Sequence, residues 1–159
     1  MNTCALCGTE LDIMFCPFCE IELKERYISK DGKRLSQFDT FQGIPDRSLI
    51  FQSTKELMKM ETIDLICLLS EARSYRTEVY HLRRLRHQAE KKEGFNDTVK
   101  QLEEFSYKSY EEATRKVWII ENIIKDRLGY FPQKVTQNFL SMYLERIEKS
   151  EKKPMFMSK

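Results

Sequence analysis

The chain has 159 residues, of which 41% are hydrophobic and 33% charged, and its net charge is +2. This length suits one domain with a small appendage, and so small a net charge does not by itself indicate a nucleic-acid-binding protein. Five glycines and four prolines are too few for the many turns of an all-β fold. The longest apolar runs, such as residues 65–69, are far shorter than the ~20 residues that cross a bilayer. With no secretory signal visible, we expect a cytoplasmic protein with no membrane partner.

Four of the five cysteines form two C-x-x-C pairs near the N-terminus, and each pair begins the pattern C-x-x-C-x-x-E-L. Two intervening residues place both sulfurs on one side of a tight turn, and two facing turns supply four thiolates in tetrahedral geometry. The spacing therefore predicts a structural Zn²⁺ site with the ligands Cys4, Cys7, Cys16 and Cys19. A disulfide would need an oxidising compartment, and a redox C-x-x-C motif would need a thioredoxin-like βαβ context. The sequence indicates neither.

The residues around the two pairs predict the local backbone. Gly8 follows the first pair, where the chain often takes a left-handed conformation that glycine adopts without strain. Glu20 stands at the equivalent position of the second pair, where the same conformation costs about 1 kcal/mol. Between the pairs, every second residue from position 9 to position 15 falls on one side of a strand, with Glu10, Asp12 and Met14 on the other: Thr9, Leu11, Ile13 and Phe15. That period is typical of a strand and predicts a short hairpin with one apolar face.

These residues resemble the small bacterial zinc ribbons of the double-knuckle type, which share a C-x-x-C-G…F-C-x-x-C core. The resemblance is carried by Cys4, Cys7, Gly8, Phe15, Cys16 and Cys19 and covers residues 1–23. It implies a ribbon fold and a bound zinc ion. Because such ribbons occur in proteins of many functions, often beside nucleic acid or RNA polymerase, it implies no specific activity. We recognise no family in residues 24–159.

Residues 24–52 are predicted to form a basic hairpin and a linker. Asp31 and Gly32 give the dipeptide signal of a two-residue hairpin loop within residues 24–38. The flanks are short and mixed in character, so a bare turn in a linker is the alternative. Residues 39–52 are interpreted as a connector that packs its apolar side chains on the rest of the chain.

Residues 53–150 are predicted to form a three-helix antiparallel domain, so that the fold class is mostly α with an N-terminal zinc ribbon. Ser53 and Glu56 form a capping box before a short helix over residues 54–60. A long helix begins at Thr62 and runs to residue 92, a second extends from Asp97 to about Leu128, and a third begins at Pro132. Residues 151–159 are predicted to be a frayed tail.

The helical period predicts which side chains face a common core. On the first long helix these are Ile63, Ile66, Leu69, Ala72, Val79, Leu82 and Leu85. On the second they are Val99, Leu102, Phe105, Ala113, Val117, Ile120 and Ile124, with Trp118, Ile119 and Ile123 beside them. Cys67, within an apolar run, is interpreted as a small buried hydrophobe.

Residues 73–92 hold seven basic and two acidic residues. Arginine suits a bidentate grip on phosphate, and a helix lined in this way can follow a nucleic-acid backbone. The candidate nucleic-acid-binding residues are Arg73, Arg76, Arg83, Arg84, Arg86 and Lys91. The alternative is a solvated face, or one paired with acids of the next helix. Tyr75 and Tyr80 either stack on bases or lie at the edge of the core.

The sequence lacks a glycine-rich phosphate loop, a nucleophile motif and an evident second set of metal ligands. We therefore expect neither an enzyme nor a small-molecule substrate. The leading hypothesis is a zinc-binding regulatory or adaptor protein that associates with DNA or RNA, or with a complex bound to it. The alternative is a protein–protein interaction module, binding RNA polymerase or a regulator, in which zinc is purely structural. Because a small ribbon needs metal to fold, zinc is expected to stabilise residues 1–23 only.

Overall fold

The computed structural model describes residues 1–35, 41, 43–93, 97–150 and 153–156. The chain divides into two compact units, one comprising Met1–Phe41 with Thr136–Lys159 and the other Gln42–Val135. The predicted fold class is confirmed, because short antiparallel strands at the N-terminus precede three long helices. Within the described ranges, no helix combines the length and the apolar character that crossing a bilayer requires.

Four two-residue strands build the ribbon: β1 (Thr3–Cys4), β2 (Phe15–Cys16), β3 (Ile21–Glu22) and β4 (Ile28–Ser29). β2 and β3 form an antiparallel hairpin around the second cysteine pair, and β1 pairs antiparallel with β4. The buried residues of the ribbon's core are Cys4, Leu11, Cys16 and Leu23. With so few apolar side chains, this core cannot stabilise the ribbon by itself.

Two predicted hairpins differ from the observed pairing. Asp31 and Gly32 form a bare turn rather than a hairpin loop, because β4 pairs with β1 instead of with the chain that follows. The Asp31 carboxylate closes this turn by accepting hydrogen bonds from the Ser29 hydroxyl at 2.9 Å and the Lys33 amide at 3.1 Å. Residues 36–38 of the predicted hairpin lie outside the described residues. The hairpin expected between the cysteine pairs forms instead at β2 and β3.

The C-terminal segment 153–156 lies against the ribbon, whereas the sequence predicted a frayed tail. The Met155 amide donates to the Gly32 carbonyl at 2.9 Å, and the Arg34 guanidinium donates to the Lys153 carbonyl at 2.9 Å. A Cβ at Gly8 would lie 2.8 Å from the Met155 carbonyl oxygen. Fraying was predicted from the charged residues and the proline of this segment, and composition does not show which distant backbone groups a segment can bond to. Residues 151–152 and 157–159 of the predicted tail lie outside the described part.

The second unit is built around a helical hairpin. A 3₁₀ helix (Arg47–Phe51) and a short helix α1 (Thr54–Leu57) precede α2 (Thr62–Glu93) and α3 (Asp97–Leu128). The Ser53 hydroxyl accepts the Glu56 amide at 3.3 Å, which confirms the predicted cap. The turn expected at Gly94 lies outside the described residues. Arg127 near the end of α3 contacts Thr62 at the start of α2. Arg86 near the end of α2 contacts Leu102 near the start of α3, so the two helices are antiparallel.

The inner face of the hairpin changes character along its length. Up to Val79 on α2 and from Ala113 onward on α3, the predicted apolar stripe is buried. Beyond Val79 the prediction is wrong, because Leu82 and Leu85 are 59% and 58% exposed. A buried stripe can continue along a helix by a step of either three or four residues. After Val79 the inward-facing positions are held by the half-buried Arg83 and Arg86. On α3, the predicted core residues Leu102, Phe105 and Trp118 are likewise exposed.

The third long helix, α4 (Gln137–Ser150), starts later than predicted. Pro132 lies before it, and Thr136 caps it by accepting the Phe139 amide on its hydroxyl at 3.1 Å. The helix belongs to the unit that contains the ribbon. None of its described side chains is fully buried, and five apolar ones form a half-buried face: Phe139, Leu140, Tyr143, Leu144 and Ile147. The predicted domain boundary at residue 53 therefore does not describe α4.

Arg73 is predicted to stabilise the helical hairpin. Its guanidinium pairs with Glu121 at 2.7 Å, and both side chains are at most 20% exposed. It also donates to the Pro132 and Gln133 carbonyls at 2.9 Å. Because Arg73→Ala leaves a largely buried carboxylate unpaired, we expect the free energy of unfolding in urea to fall by about 2 kcal/mol or more. Arg84→Ala, at an exposed position, is the control, and equal loss in both variants would contradict the assignment.

Candidate metal centre

The structure brings the four N-terminal cysteines into one cluster. Their Sγ atoms all lie within 4.8 Å of one another, and the Cys7 and Cys16 sulfurs are 3.5 Å apart. Tetrahedral zinc with Zn–S bonds of about 2.3 Å sets its sulfurs about 3.8 Å apart. Cys4 and Cys16 are buried, while Cys7 and Cys19 are half-buried at the edge of the cluster. The four sulfurs can therefore hold a metal ion, and their spacing fits the zinc that the sequence predicts.

The two cysteine pairs have the same backbone geometry. The Gly8 amide donates to the Cys4 carbonyl at 2.8 Å, and the Glu20 amide donates to the Cys16 carbonyl at 2.8 Å. Both donors have positive φ angles, +82° for Gly8 and +56° for Glu20. The left-handed conformation predicted at both positions is thus observed. Glu20 adopts it although its Cβ makes this region less favourable than it is for glycine. The repeated sequence pattern corresponds to two copies of one turn.

The cluster's proton chemistry favours a cation. The Thr9 hydroxyl, 3.1 Å from Cys7 Sγ, lowers the pKa of Cys7 to about 6. Hydrogen bonding to that same Cys7 sulfur raises the pKa of Cys19 to about 12, and burial raises the pKa of Cys4. The cluster therefore readily supplies one thiolate near neutral pH, but that negative charge disfavours deprotonation of the other thiols. A bound cation offsets the repulsion between the thiolates, and metal ligation therefore deprotonates the thiols.

The fifth cysteine takes no part in this cluster. Cys67 lies in α2 among buried leucines and isoleucines and is 3% exposed. Burial raises the pKa of its thiol to about 11, so that it remains protonated at neutral pH. A buried, protonated thiol is a poor nucleophile and a poor ligand. Cys67 is therefore a packing residue, as the sequence predicted.

Three of the six candidate nucleic-acid-binding residues are engaged within the chain. Besides the ion pair of Arg73 with Glu121, the Arg86 guanidinium donates to the Leu102 carbonyl at 3.0 Å. The Arg83 guanidinium lies over an aromatic ring, 5.1 Å from the centre of the Tyr107 ring. These contacts join α2 to α3, and that of Arg73 with Glu121 is the pairing with an acid of the next helix that the sequence left open as an alternative.

The other three candidates form no hydrogen bond or ion pair with any described residue. They are half-buried Arg76 and exposed Arg84 and Lys91. Of the tyrosines beside them, Tyr75 is half-buried and meets Phe51 edge-on at 5.4 Å, whereas Tyr80 lies 5.8 Å from Tyr110 but is 47% exposed. The basic surface of α2 is therefore smaller than its sequence suggests.

A second group of potential metal ligands was missed by the sequence analysis. His87, Glu90 and Glu103 bring one nitrogen and two carboxylate oxygens within 4.8 Å of one another. The spacing of His87 and Glu90, three apart on one helix, was a visible signal. Glu103 could not be assigned to them without knowing how α3 lies along α2.

Metal removal is predicted to unfold the ribbon and leave the helical hairpin intact. With a chelator in excess, amide hydrogen exchange should become fast at Cys4, Cys16 and Ile28, because the ribbon's core contains the ligands. Exchange at Ile66 and Ile120, buried in the other unit, should stay slow. The test compares peptides by mass spectrometry before and after chelation. Loss of protection throughout the chain would show that the two units do not fold independently.

Comparison with protein-family models, with curated proteins and with solved structures gives no match to this chain. The metal site is accordingly assigned from the spacing of four cysteines in the sequence and from the convergence of their sulfurs in the structure.

Proposed function

We propose that this chain is a zinc-binding adaptor protein whose ribbon docks onto a protein partner. A ligand set made only of sulfur suits Zn²⁺ better than harder divalent ions. Four protein ligands fill all the tetrahedral positions and leave none for a substrate, which is typical of a structural rather than a catalytic site. A cytoplasmic location accords with this, because a reducing compartment keeps the cysteines available to the ion.

The observation that carries the proposal is the apolar surface around the second cysteine pair. Ile13 and Phe18 are 69% and 77% exposed, and Met14, Phe15 and Ile21 are exposed beside them. Ile13, Met14 and Phe15 also line a groove of about 430 Å³. Exposed apolar groups that lie together commonly mark an interaction site. Covering such surface contributes about 25 cal/mol per Å² of apolar area removed from water.

The charge around this surface favours a protein over a nucleic acid. No lysine or arginine precedes Lys24, and four acidic residues flank the exposed apolar side chains: Glu10, Asp12, Glu20 and Glu22. A phosphate backbone would be repelled by these carboxylates. The complementary partner is a protein with an apolar pocket and a basic rim, since opposite charges across an interface speed association and exclude wrong partners.

Substitutions on the ribbon surface are predicted to abolish partner capture. In pull-downs from lysate of the source cells, the double variant Ile13→Ser, Phe18→Ser should lose a stoichiometric protein that the unaltered chain retains, because the substitutions remove apolar contacts. Met58→Ser, at an apolar position 60% exposed in the other unit, is the matched control and should retain it.

Chelation should release the same protein, since the docking surface requires the folded ribbon. The molar mass from light scattering distinguishes binding of a second copy of the chain from binding of a different protein. Capture that is equal in the double variant and the control would refute the proposed docking surface.

A second candidate function is nucleic-acid binding by α2. It is favoured by Arg76, Arg84 and Lys91, which have no partner among the described residues. With three phosphate contacts, the logarithm of the affinity should fall with the logarithm of the salt concentration with a slope of about −2 to −3.

Gel-shift titration at low salt tests this second function. The triple variant Arg76→Glu, Arg84→Glu, Lys91→Glu should bind DNA and RNA more weakly than the unaltered chain. The control variant, Lys125→Glu, reverses the charge of an exposed lysine on α3. Absence of binding by the unaltered chain at low salt would leave protein docking as the remaining function.

A further inference from the structure

The polar half of the α2–α3 hairpin encloses a small cleft. It has a volume of about 230 Å³ and is lined by Arg83, Arg84, His87, Glu90 and Glu103 among others. In an ordinary helical hairpin, apolar side chains would occupy these inward positions. A run of inward polar residues lowers stability unless their charges are satisfied, so the cleft is a candidate for a binding site.

Three side chains in the cleft present metal-ligating atoms to one point. His87 Nδ1 lies 3.6 Å from a carboxylate oxygen of Glu90, and an oxygen of Glu103 lies within 4.8 Å of a His87 ring nitrogen and of a Glu90 carboxylate oxygen. Metal–ligand bonds of about 2.0–2.2 Å to nitrogen and oxygen place neighbouring ligand atoms about 3.0–3.6 Å apart. The observed separations reach this range with small side-chain rotations. His87 and Glu90 share one face of α2, while Glu103 comes from α3.

Neither carboxylate forms an ion pair with a lysine or arginine among the described residues. The Glu90 side chain is only 10% exposed and accepts no hydrogen bond from them, and the Glu103 carboxylate likewise forms no ion pair. Two of the arginines nearby are engaged elsewhere, Arg83 over the Tyr107 ring and Arg86 with the Leu102 carbonyl. The third, Arg84, is exposed at the edge of the cleft and pairs with neither carboxylate among the described residues. Two neighbouring carboxylates repel each other, and a cation held between them removes that repulsion.

We propose that His87, Glu90 and Glu103 bind a divalent transition-metal ion at a second site, separate from the four cysteines. One imidazole and two carboxylates form a ligand set for Zn²⁺, Mn²⁺ or Fe²⁺. Helical bundles hold such ions with inward Glu and His side chains, including a Glu and a His three residues apart on one helix and a Glu from a facing helix. Three protein ligands leave at least one coordination position for water or an anion, and the cleft opens to solvent at His87, which is 61% exposed.

Zinc titration calorimetry tests this site on the full chain without an affinity tag, preloaded with one equivalent of Zn²⁺. The unaltered chain should take up one further equivalent. His87→Ala and Glu103→Gln should each weaken that second binding by at least tenfold, because loss of supporting ligands alone costs about 10–100-fold in affinity. His81→Ala is the matched control, since it removes the other histidine of α2, which is absent from the cluster.

Cobalt(II) added to the same zinc-loaded chain identifies the ligands of the second site. Absorption typical of nitrogen and oxygen ligands, without a sulfur charge-transfer band, is expected, and His87→Ala should abolish it. The proposal is overturned if the unaltered chain takes up no second ion, if both variants bind it as the unaltered chain does, or if the cobalt spectrum shows sulfur ligation. None of these results depends on whether the ribbon docks a protein.

Discussion

The ribbon depends on one constraint, which is that four cysteine sulfurs stay within 4.8 Å of one another. Cys4 and Cys16 are also half of the ribbon's buried core, so the metal site and the core share the same atoms. Ordering each residue costs about 1–2 kcal/mol of chain entropy, which two leucines and two cysteines cannot offset by burial alone. A metal ion coordinated by the four sulfurs would supply the rest. The pairing of β1 with β4 would then form on a framework that the ion holds.

The helical hairpin combines two halves of opposite organisation. In one half, buried residues such as Ile66 and Ile120 supply an ordinary apolar core. In the other half, arginine and glutamate side chains face inward, while Leu82, Leu85 and Phe105 are exposed. The first half can stabilise the second, so that the second is free to carry polar groups that would not fold alone. This division explains why the basic residues of α2 are partly structural and partly available.

The features that the sequence predicted well are local ones. The cysteine spacing, the left-handed Gly8 and Glu20, and the cap at Ser53 each depend on a few consecutive residues. What could not be predicted depends on distant partners, such as β4 pairing with β1. The stripe beyond Val79 was misassigned because helical geometry allows two continuations, and only the position of α3 selects between them. The grouping of Glu103 with His87 required that same knowledge.

The contact between Met155 and the ribbon has a consequence for the order in which the protein assembles. Domains fold from the N-terminus as synthesis proceeds, and the four cysteines leave the ribosome long before Met155 is translated. The four cysteines are therefore available to a metal ion while most of the chain is still being made. Met155 can reach Gly8 and Gly32 only after the residues between them have been made, so this contact forms later than the pairing of β1 with β4.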